Sequence, residues 1–427
     1  MFDNFGALGS FLFGFSFYYP LFMAYLWMTG AMVYYFHYER RYPDGYRHPP
    51  PLSEYPMVSI LVPCYDGEEF IAETIVNLLK IEYPAFEIIA INDGSHDRTG
   101  EILNAIAVHD SRVRVLHLAT NQGKAMGLNT AALVAHGDFF VCIDSDAVLD
   151  PHSVSWIMLQ FETSPRVGAV TGNPRIRTRS SLLGKLQVGE FSSVIGLIKR
   201  AQRTYGRLFT VSGVVSAFRR AALHDVGYWS PDMLTEDVDV SWKLQLRHWD
   251  VRFEPHALCW ILMPETLRGL WRQRLRWAMG GTQVMFKEGR ILKSWRKRRM
   301  WPVMIEYVIS VVWAYAITGV TLLWLAGQFV SVPAALHVPT LLPQWSGVVI
   351  GTTCLVQLGL SLALDSRYEK GLFRYYFWMI WYPLAYWVLN VATTVVAVPR
   401  VLIRPPGKRA RWRSPDRGVL DGDAAHH

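Results

Sequence analysis

Apolar positions fall into three regimes along the chain. Over residues 11–36 they run almost without interruption, long enough for a helix to cross the ~30 Å hydrocarbon core of a bilayer. From Val58 to about Gly289 short apolar runs alternate with mixed segments, and beyond about Met300 long apolar stretches return. The first regime predicts one transmembrane helix within residues 1–40. Only Asp3 is charged ahead of it and no small-residue cleavage site follows, so it does not read as a signal peptide. The third regime, residues 290–400, predicts spans near 301–330, 346–364 and 373–398, with Pro383 interrupting the last.

Residues 41–289 read as an α/β domain, entered through the stiff His48-Pro49-Pro50-Pro51 linker. Residues 58–62, 87–91, 113–116 and 139–143 are short β-rich runs, and helix-like segments such as 69–80 and 99–108 lie between them. Strand–helix alternation with apolar strands predicts a mainly parallel sheet covered on both faces. Ligands bind such sheets beyond the carboxyl ends of the strands. Asp66, Asp93 and the pair Asp144 and Asp146 each follow a strand, at that edge.

Charge changes the picture on topology. A formal net charge of +8 would suit nucleic acid, but the excess sits beside the apolar stretches, as in Arg296-Lys297-Arg298-Arg299 and Lys408-Arg409. That placement favours an anionic membrane surface and argues against a nucleic-acid partner. Glu39-Arg40-Arg41 and Arg47 after the first helix place the N-terminus outside and the α/β domain in the cytosol. Three later passes would then leave the basic tail, residues 401–427, outside against that bias. Either one segment is re-entrant or interfacial, or the tail is an exception. The four cysteines are scattered without a C-x-x-C pair, which excludes a disulfide framework or zinc site and fits a reduced cytosol.

Five short motifs carry candidate chemistry. Asp144-Ser145-Asp146 ends a strand, and its two carboxylates suit Mg2+ or Mn2+ bridging the phosphates of a nucleotide-sugar; a solvated strand end is the plain alternative. Asn92-Asp93-Gly94-Ser95 reads as a turn or as a carboxylate for a uracil N–H or ribose hydroxyl. Lys124 meets phosphate or base, or belongs to a surface loop. Thr235-Glu236-Asp237 suits a helix start, where cap and macrodipole favour carboxylates. The same position makes Asp237 a candidate general base for an acceptor hydroxyl. Gln273, Arg276 and Trp277 share one face of an amphipathic helix near 266–285. That helix is either an ordinary interfacial one or a platform, with Arg276 on the diphosphate and Trp277 stacked on an acceptor sugar.

In this order, with Val58-Ser59-Ile60-Leu61-Val62-Pro63 ahead of them, these motifs resemble the processive family-2 glycosyltransferases, the group of the cellulose, chitin and hyaluronan synthases. Residues 171–179 (TGNPRIRTR), 259–271 (CWILMPETLRGLW) and 414–418 (SPDRG) are similar to the branch that makes poly-β-1,6-N-acetylglucosamine, a biofilm polymer. The resemblance implies a GT-A-type fold embedded between transmembrane and interfacial helices. It also implies inverting transfer from UDP-N-acetylglucosamine with Mg2+ or Mn2+, and export of the growing polysaccharide across the bacterial inner membrane. A small membrane partner subunit and activation by cyclic di-GMP come with it. No separate nucleotide-sensing domain follows the last span, so that control would act through the membrane assembly. Carried onto these positions, Pro63, Tyr65, Asp93, Lys124, Asp144 and Arg276 surround the nucleotide-sugar. Asp144 and Asp146 hold the metal, Asp237 is the base, and Glu236, Gln273 and Trp277 meet the acceptor.

Two departures stand out. Asp66-Gly67 replaces the family's Asn-Glu after the first strand, and one N-terminal span is evident where some relatives have two. The competing readings are another processive synthase, a non-processive transferase loading one sugar onto a polyprenyl phosphate, and a membrane receptor or channel component that only senses a nucleotide. The polyprenyl transferase has no use for the 273–277 motif, and the sensor needs neither Asp237 nor Trp277.

Overall fold

The computed structural model describes residues 7–43, 45–341, 344–381, 386–405, 407–411 and 417. After helix α1 (Ala7–His37) the chain alternates strictly: β1 (Val58–Cys64), α2 (Ile71–Leu78), β2 (Phe86–Asn92), α3 (Thr99–His109), β3 (Val113–His117), α4 (Lys124–Val134) and β4 (Phe139–Ile143). β1 pairs in parallel with β2 and β4, and β2 with β3. Every residue of β1, β2 and β4 is buried, as a parallel sheet covered on both faces requires. Ile60, Val62, Ile88 and Val141 face one apolar cluster, and Leu61, Ile89 and Phe140 face the other. This alternation follows from the two-residue period of the strand.

Apart from the helix expected to start at Thr235, the second half of the sheet comes from elements that the apolar pattern does not single out. These are β5 (Val148–Leu149), α5 (Ser153–Glu162), β6 (Val167–Ile176), α6 (Leu182–Phe191), α7 (Ile198–Tyr205), β7 (Val215–Arg219), α8 (Arg220–Val226), α9 (Glu236–Leu246) and β8 (Asp250–Ile261). The eight strands run in the order β3-β2-β1-β4-β7-β6-β8-β5. β7 is antiparallel to both β4 and β6, so the sheet is mixed and mostly parallel. This reversal matters for chemistry. It pairs Val215, at the start of β7, with Ile143, at the end of β4. The loop that enters β7 therefore reaches the edge where Asp144 and Asp146 emerge.

Helices α10 (Leu267–Glu288), α11 (Trp301–Phe329), α12 (Gln344–Asp365) and α13 (Val388–Leu402) complete the described chain. Three segments, Ala7–Arg41, Trp295–Phe329 and Gly347–Asp365, are long and apolar enough to cross a membrane. The expected third C-terminal span over 373–398 is not one helix. Leu372–Trp381 forms tight 3-10 turns, and α13 has 15 residues, about 22 Å of helix against a ~30 Å core. α13 lies along α10 and α11 instead, and Pro383 falls outside the described residues. The tail then returns to the α/β domain, where the Ala410 amide donates to the Pro231 carbonyl at 2.9 Å. The tail is thus seated against the sheet domain.

Buried charges tie the helices to the sheet domain. Arg200 of α7 donates to Glu39, beyond α1, at 2.5 and 3.1 Å and to Asp365, at the end of α12, at 2.9 Å. Arg175 of β6 reaches Asp365 at 2.5 Å and Glu369 at 3.1 Å, and Arg179 also pairs with Glu369. Glu39, Arg200 and Asp365 side chains are all 0% exposed. Arg175 and Arg179 belong to the 171–179 stretch, so that stretch builds the joint between sheet and helices. Glu39, expected as part of a membrane flank, is its buried anion.

Candidate active site

The site grows from the carboxyl edge of β1, β2 and β4. After β2, Asp93 is almost fully buried, and its two carboxylate oxygens accept the Gln122 and Gly123 amides at 2.8 Å each. Burial pushes the Asp93 carboxyl up, and the two amides pull against it. Asp93 thereby holds the turn into α4. Gly123 has φ +89°, the left-handed region that favours glycine. The next residue, Lys124, is not in a surface loop. Its Nζ donates to Asp144 Oδ1 at 2.5 Å and to the Gly213 carbonyl at 2.9 Å, with Glu236 at 3.5 Å. Burial pulls the ammonium down, but Asp144 and Glu236 outweigh it and hold it above the usual lysine range.

Pro63 lies inside the end of β1, paired with Ile91. Tyr65 stands at the rim, its hydroxyl 3.5 Å from His96 Nδ1. Asp66, in the position of the family's Asn, has φ +45° and pins the neighbouring turn. Its amide donates to Ser95 Oγ at 3.0 Å, and its Oδ1 accepts the His96 amide at 2.8 Å.

Asp144 and Asp146 follow β4, and each meets a cationic side chain. Lys124 pairs with Asp144, and Arg417 donates Nε–H to Asp146 Oδ2 at 2.6 Å. Burial and the neighbouring Asp144 charge push the Asp146 carboxyl up, while Arg417 opposes them. Two hard oxygen donors in mutual repulsion fit a divalent cation. Among the described residues no group of three or more His, Cys, Asp or Glu could hold a metal by itself. Diphosphate oxygens and water would have to fill the remaining positions.

Asp237 stands in the first turn of α9. Its Oδ2 accepts the Gly213 amide at 3.1 Å and its Oδ1 accepts the Val238 amide at 2.9 Å. Burial, then Glu236, raise the carboxyl to about 6 against the pull of Lys124 and Arg276. Gly213 thus gives its carbonyl to Lys124 and its amide to Asp237, joining the two side chains through one residue. Behind this loop, Lys199 Nζ donates to Ser212 Oγ at 2.7 Å and Thr171 Oγ1 at 3.1 Å. Burial lowers this amine to about 7, and Asp237 opposes that.

α10 carries the last group and is capped by Thr266, whose Oγ1 accepts the Gly269 amide at 3.0 Å. Gly280 lets it press on the start of α9, since a Cβ there would lie 2.0 Å from Thr235 Oγ1. Arg276 is exposed, with Nη1 3.5 Å from the Leu234 carbonyl. Gln273 Oε1 is buried without a hydrogen-bond partner among the described residues. Trp277 packs against the main core and carries the Arg274 guanidinium 4.2 Å from its ring centroid. Arg274 is locked by Glu190 of α6 at 2.5 Å, and burial raises the Glu190 carboxyl to about 7. Lys199, Glu190 and Arg274 went unmarked in the sequence because their partners lie far along the chain; only the place of Arg274 inside the 273–277 motif could have signalled it.

Comparison with known proteins places the chain in a family. Residues 56–280 match the family described as glycosyltransferase like family 2. The poly-β-1,6-N-acetyl-D-glucosamine synthase of Staphylococcus epidermidis is 39% identical over 416 residues, 96% of this chain and 99% of that protein. The synthase of the same name from Staphylococcus aureus strain COL is 39% identical over 410 residues, 95% and 98% of the two chains. Among solved structures, a mannosyltransferase from Pyrobaculum calidifontis in complex with GDP-Man and Mn2+ aligns with a TM-score of 0.61. It covers 92% of this chain and 99% of its own at 19% identity, and so speaks for the fold alone. The chain belongs to glycosyltransferase family 2 and, within it, to the family of the poly-β-1,6-N-acetyl-D-glucosamine synthases.

Proposed function

We propose that this enzyme polymerises N-acetylglucosamine from UDP-N-acetylglucosamine by inverting transfer at the bacterial inner membrane, with the sheet domain in the cytosol, and passes the polymer outward. The observation that carries the reading is the Gly213 junction, which sets Asp237 beside Lys124 and Asp144. In the transfer step the acceptor hydroxyl oxygen bonds to the anomeric carbon and the bond from that carbon to the diphosphate oxygen breaks. UDP leaves with the electron pair, and Asp237 takes the hydroxyl proton. A carboxyl near 6 is ionised at neutral pH yet basic enough to accept it. Asp144 and Asp146 would hold Mg2+ or Mn2+, whose charge supplies neutralisation of the departing diphosphate. Tyr65 and Asp93 edge the nucleoside side, and Arg276 faces the phosphates. Gln273, Trp277 and Glu236 receive the acceptor, with the buried Gln273 Oε1 available to a sugar hydroxyl. The residues are those of a transferase rather than of a sensor.

Control by a small membrane partner subunit and cyclic di-GMP belongs to the same reading. A cavity of about 1370 Å³ is lined by Lys185, Arg374, Tyr375 and Trp378 and by two ion pairs, Arg177 with Glu73 and Arg179 with Glu369, and its cations and rings suit a cyclic dinucleotide.

Membranes holding the enzyme, given UDP-N-acetylglucosamine or UDP-glucose with Mg2+, Mn2+ or a chelator, test the donor and metal together. Incorporation from UDP-N-acetylglucosamine alone, lost with the chelator, is expected; incorporation from UDP-glucose would overturn the donor assignment. The rate should climb as pH rises through about 6, because Asp237 is protonated and idle below that value. A flat profile from pH 5 to 8, at saturating donor and a constant Mg2+ concentration, would remove Asp237 as the base. Trp277→Ala should shorten the polymer and leave much of the donor hydrolysis intact, read by product sizing beside UDP release. Unchanged length would end the stacking role.

A further inference from the structure

Beyond α13 the chain comes back over the nucleotide edge of the sheet. Arg404 Nη2 reaches the Asp232 carbonyl at 3.4 Å, the Ala410 amide donates to the Pro231 carbonyl at 2.9 Å, and Arg409 Nη1 donates to Gln122 Oε1 at 2.9 Å. The Ala410 carbonyl sits so near Gly123 that a Cβ there would lie 2.1 Å from it. The tail is thus seated on the turn that Asp93 holds and that leads into Lys124. Arg417 follows, donating Nε–H to Asp146 at 2.6 Å with its guanidinium carbon 5.0 Å from the Phe70 ring centroid. Its side chain is 9% exposed. Among the described residues no acceptor takes its Nη1 or Nη2 hydrogens.

A buried guanidinium with one edge fixed and one edge unspent is built to receive a second anion. Asp146 and the Phe70 ring orient the plane, and the remaining N–H pair matches the spacing of phosphate oxygens. The surroundings need such a cation. Asp144, Glu236 and Asp237 gather around Lys124, Asp146 lies beside Asp144, and together they would repel an anionic donor. The diphosphate gains a negative charge as its bond to the sugar breaks, so a fixed cation there acts more strongly on the transition state than on the bound donor.

We propose that Arg417 is a diphosphate-binding residue, brought into the active site by the C-terminal tail, with Asp146 holding its Nε and its Nη edge receiving phosphate oxygens of the nucleotide-sugar. The proposal rests on the donor-site reading above. Arg417 takes only Oδ2 of Asp146, so it is compatible with a cation shared by the two aspartates.

The test is nucleotide binding by the full-length protein in nanodiscs with Mn2+, measured for UDP and, by competition, for uridine, which lacks phosphates. Arg417→Ala should weaken UDP about tenfold or more and leave uridine within about threefold, with Arg417→Lys between the two. Unchanged UDP affinity overturns the proposal. So does an equal loss for both ligands, which would make Arg417 a structural strut, and so does tighter UDP binding, which would make it a plug. Failure of the unaltered protein to bind UDP would instead remove the donor-site reading, and the proposal with it.

Discussion

In the Asp237→Asn variant, polymer formation is expected to fall by about 10²–10⁴-fold, the range for loss of a positioned general base, while UDP affinity changes little. The substitution keeps shape and local bonding. An Asn Oδ1 can still accept the Gly213 or Val238 amide that Asp237 accepts at 3.1 and 2.9 Å. What disappears is the capacity to take a proton and one negative charge opposite Lys124 and Arg276. Purified protein in nanodiscs, assayed for polymer and for UDP binding on the same preparation, separates the two. Parallel loss of UDP affinity and polymer would assign Asp237 to holding the donor or the fold.

Arg200→Met is expected to cost the fold about 3–5 kcal/mol, the scale for removing one partner of a buried ion pair. Arg200 answers both Glu39 and Asp365, and all three side chains are 0% exposed. Without it two carboxylates from different helices face each other in the joint, since Tyr368 and Arg175 satisfy only part of them, at 2.6 and 2.5 Å. Arg98→Ala makes the control, because its pair with Glu101 is 77% exposed on both sides and worth little. The readout is the fraction of monodisperse protein after heating in detergent. Equal survival of the two variants would mean that the joint does not hold the helices to the sheet.

The parts of the fold legible in the sequence are those whose side chains agree with their local structure. β1, β2 and β4 are apolar but for Ser59, Glu87 and Asn92, and are bounded by turn residues. β6 and β8 hide because Asn173, Arg175, Glu254 and His256 are polar yet buried. Their partners come from elsewhere: Asn173 Nδ2 donates to the Pro255 carbonyl at 3.1 Å, and Glu254 takes His256 and Tyr38. The 373–398 segment failed for the converse reason, since hydropathy measures transfer to lipid and does not register the 3-10 turns of Leu372–Trp381.

The site divides along the same line. Asp144, Asp146 and Asp237 announce themselves by following a strand or opening a helix. Lys124 was legible as a cation, but its burial against Asp144 and Glu236 depends on the antiparallel β7, which no local pattern betrays. Arg274 and Glu190 stand 84 positions apart and meet only after α6 and α10 pack. Glu39 looked like part of a charged flank and turned out to be a buried partner of Arg200.

The most direct measurement is of the product made by sparse enzyme from UDP-N-acetylglucosamine, sized and linkage-mapped while most of the donor is unspent. One site joining base, phosphate cations and the Trp277 shelf predicts long 1,6-linked N-acetylglucosamine chains from the earliest time points. A single sugar on a lipid carrier, short products that lengthen only as donor is consumed, or another linkage would contradict it.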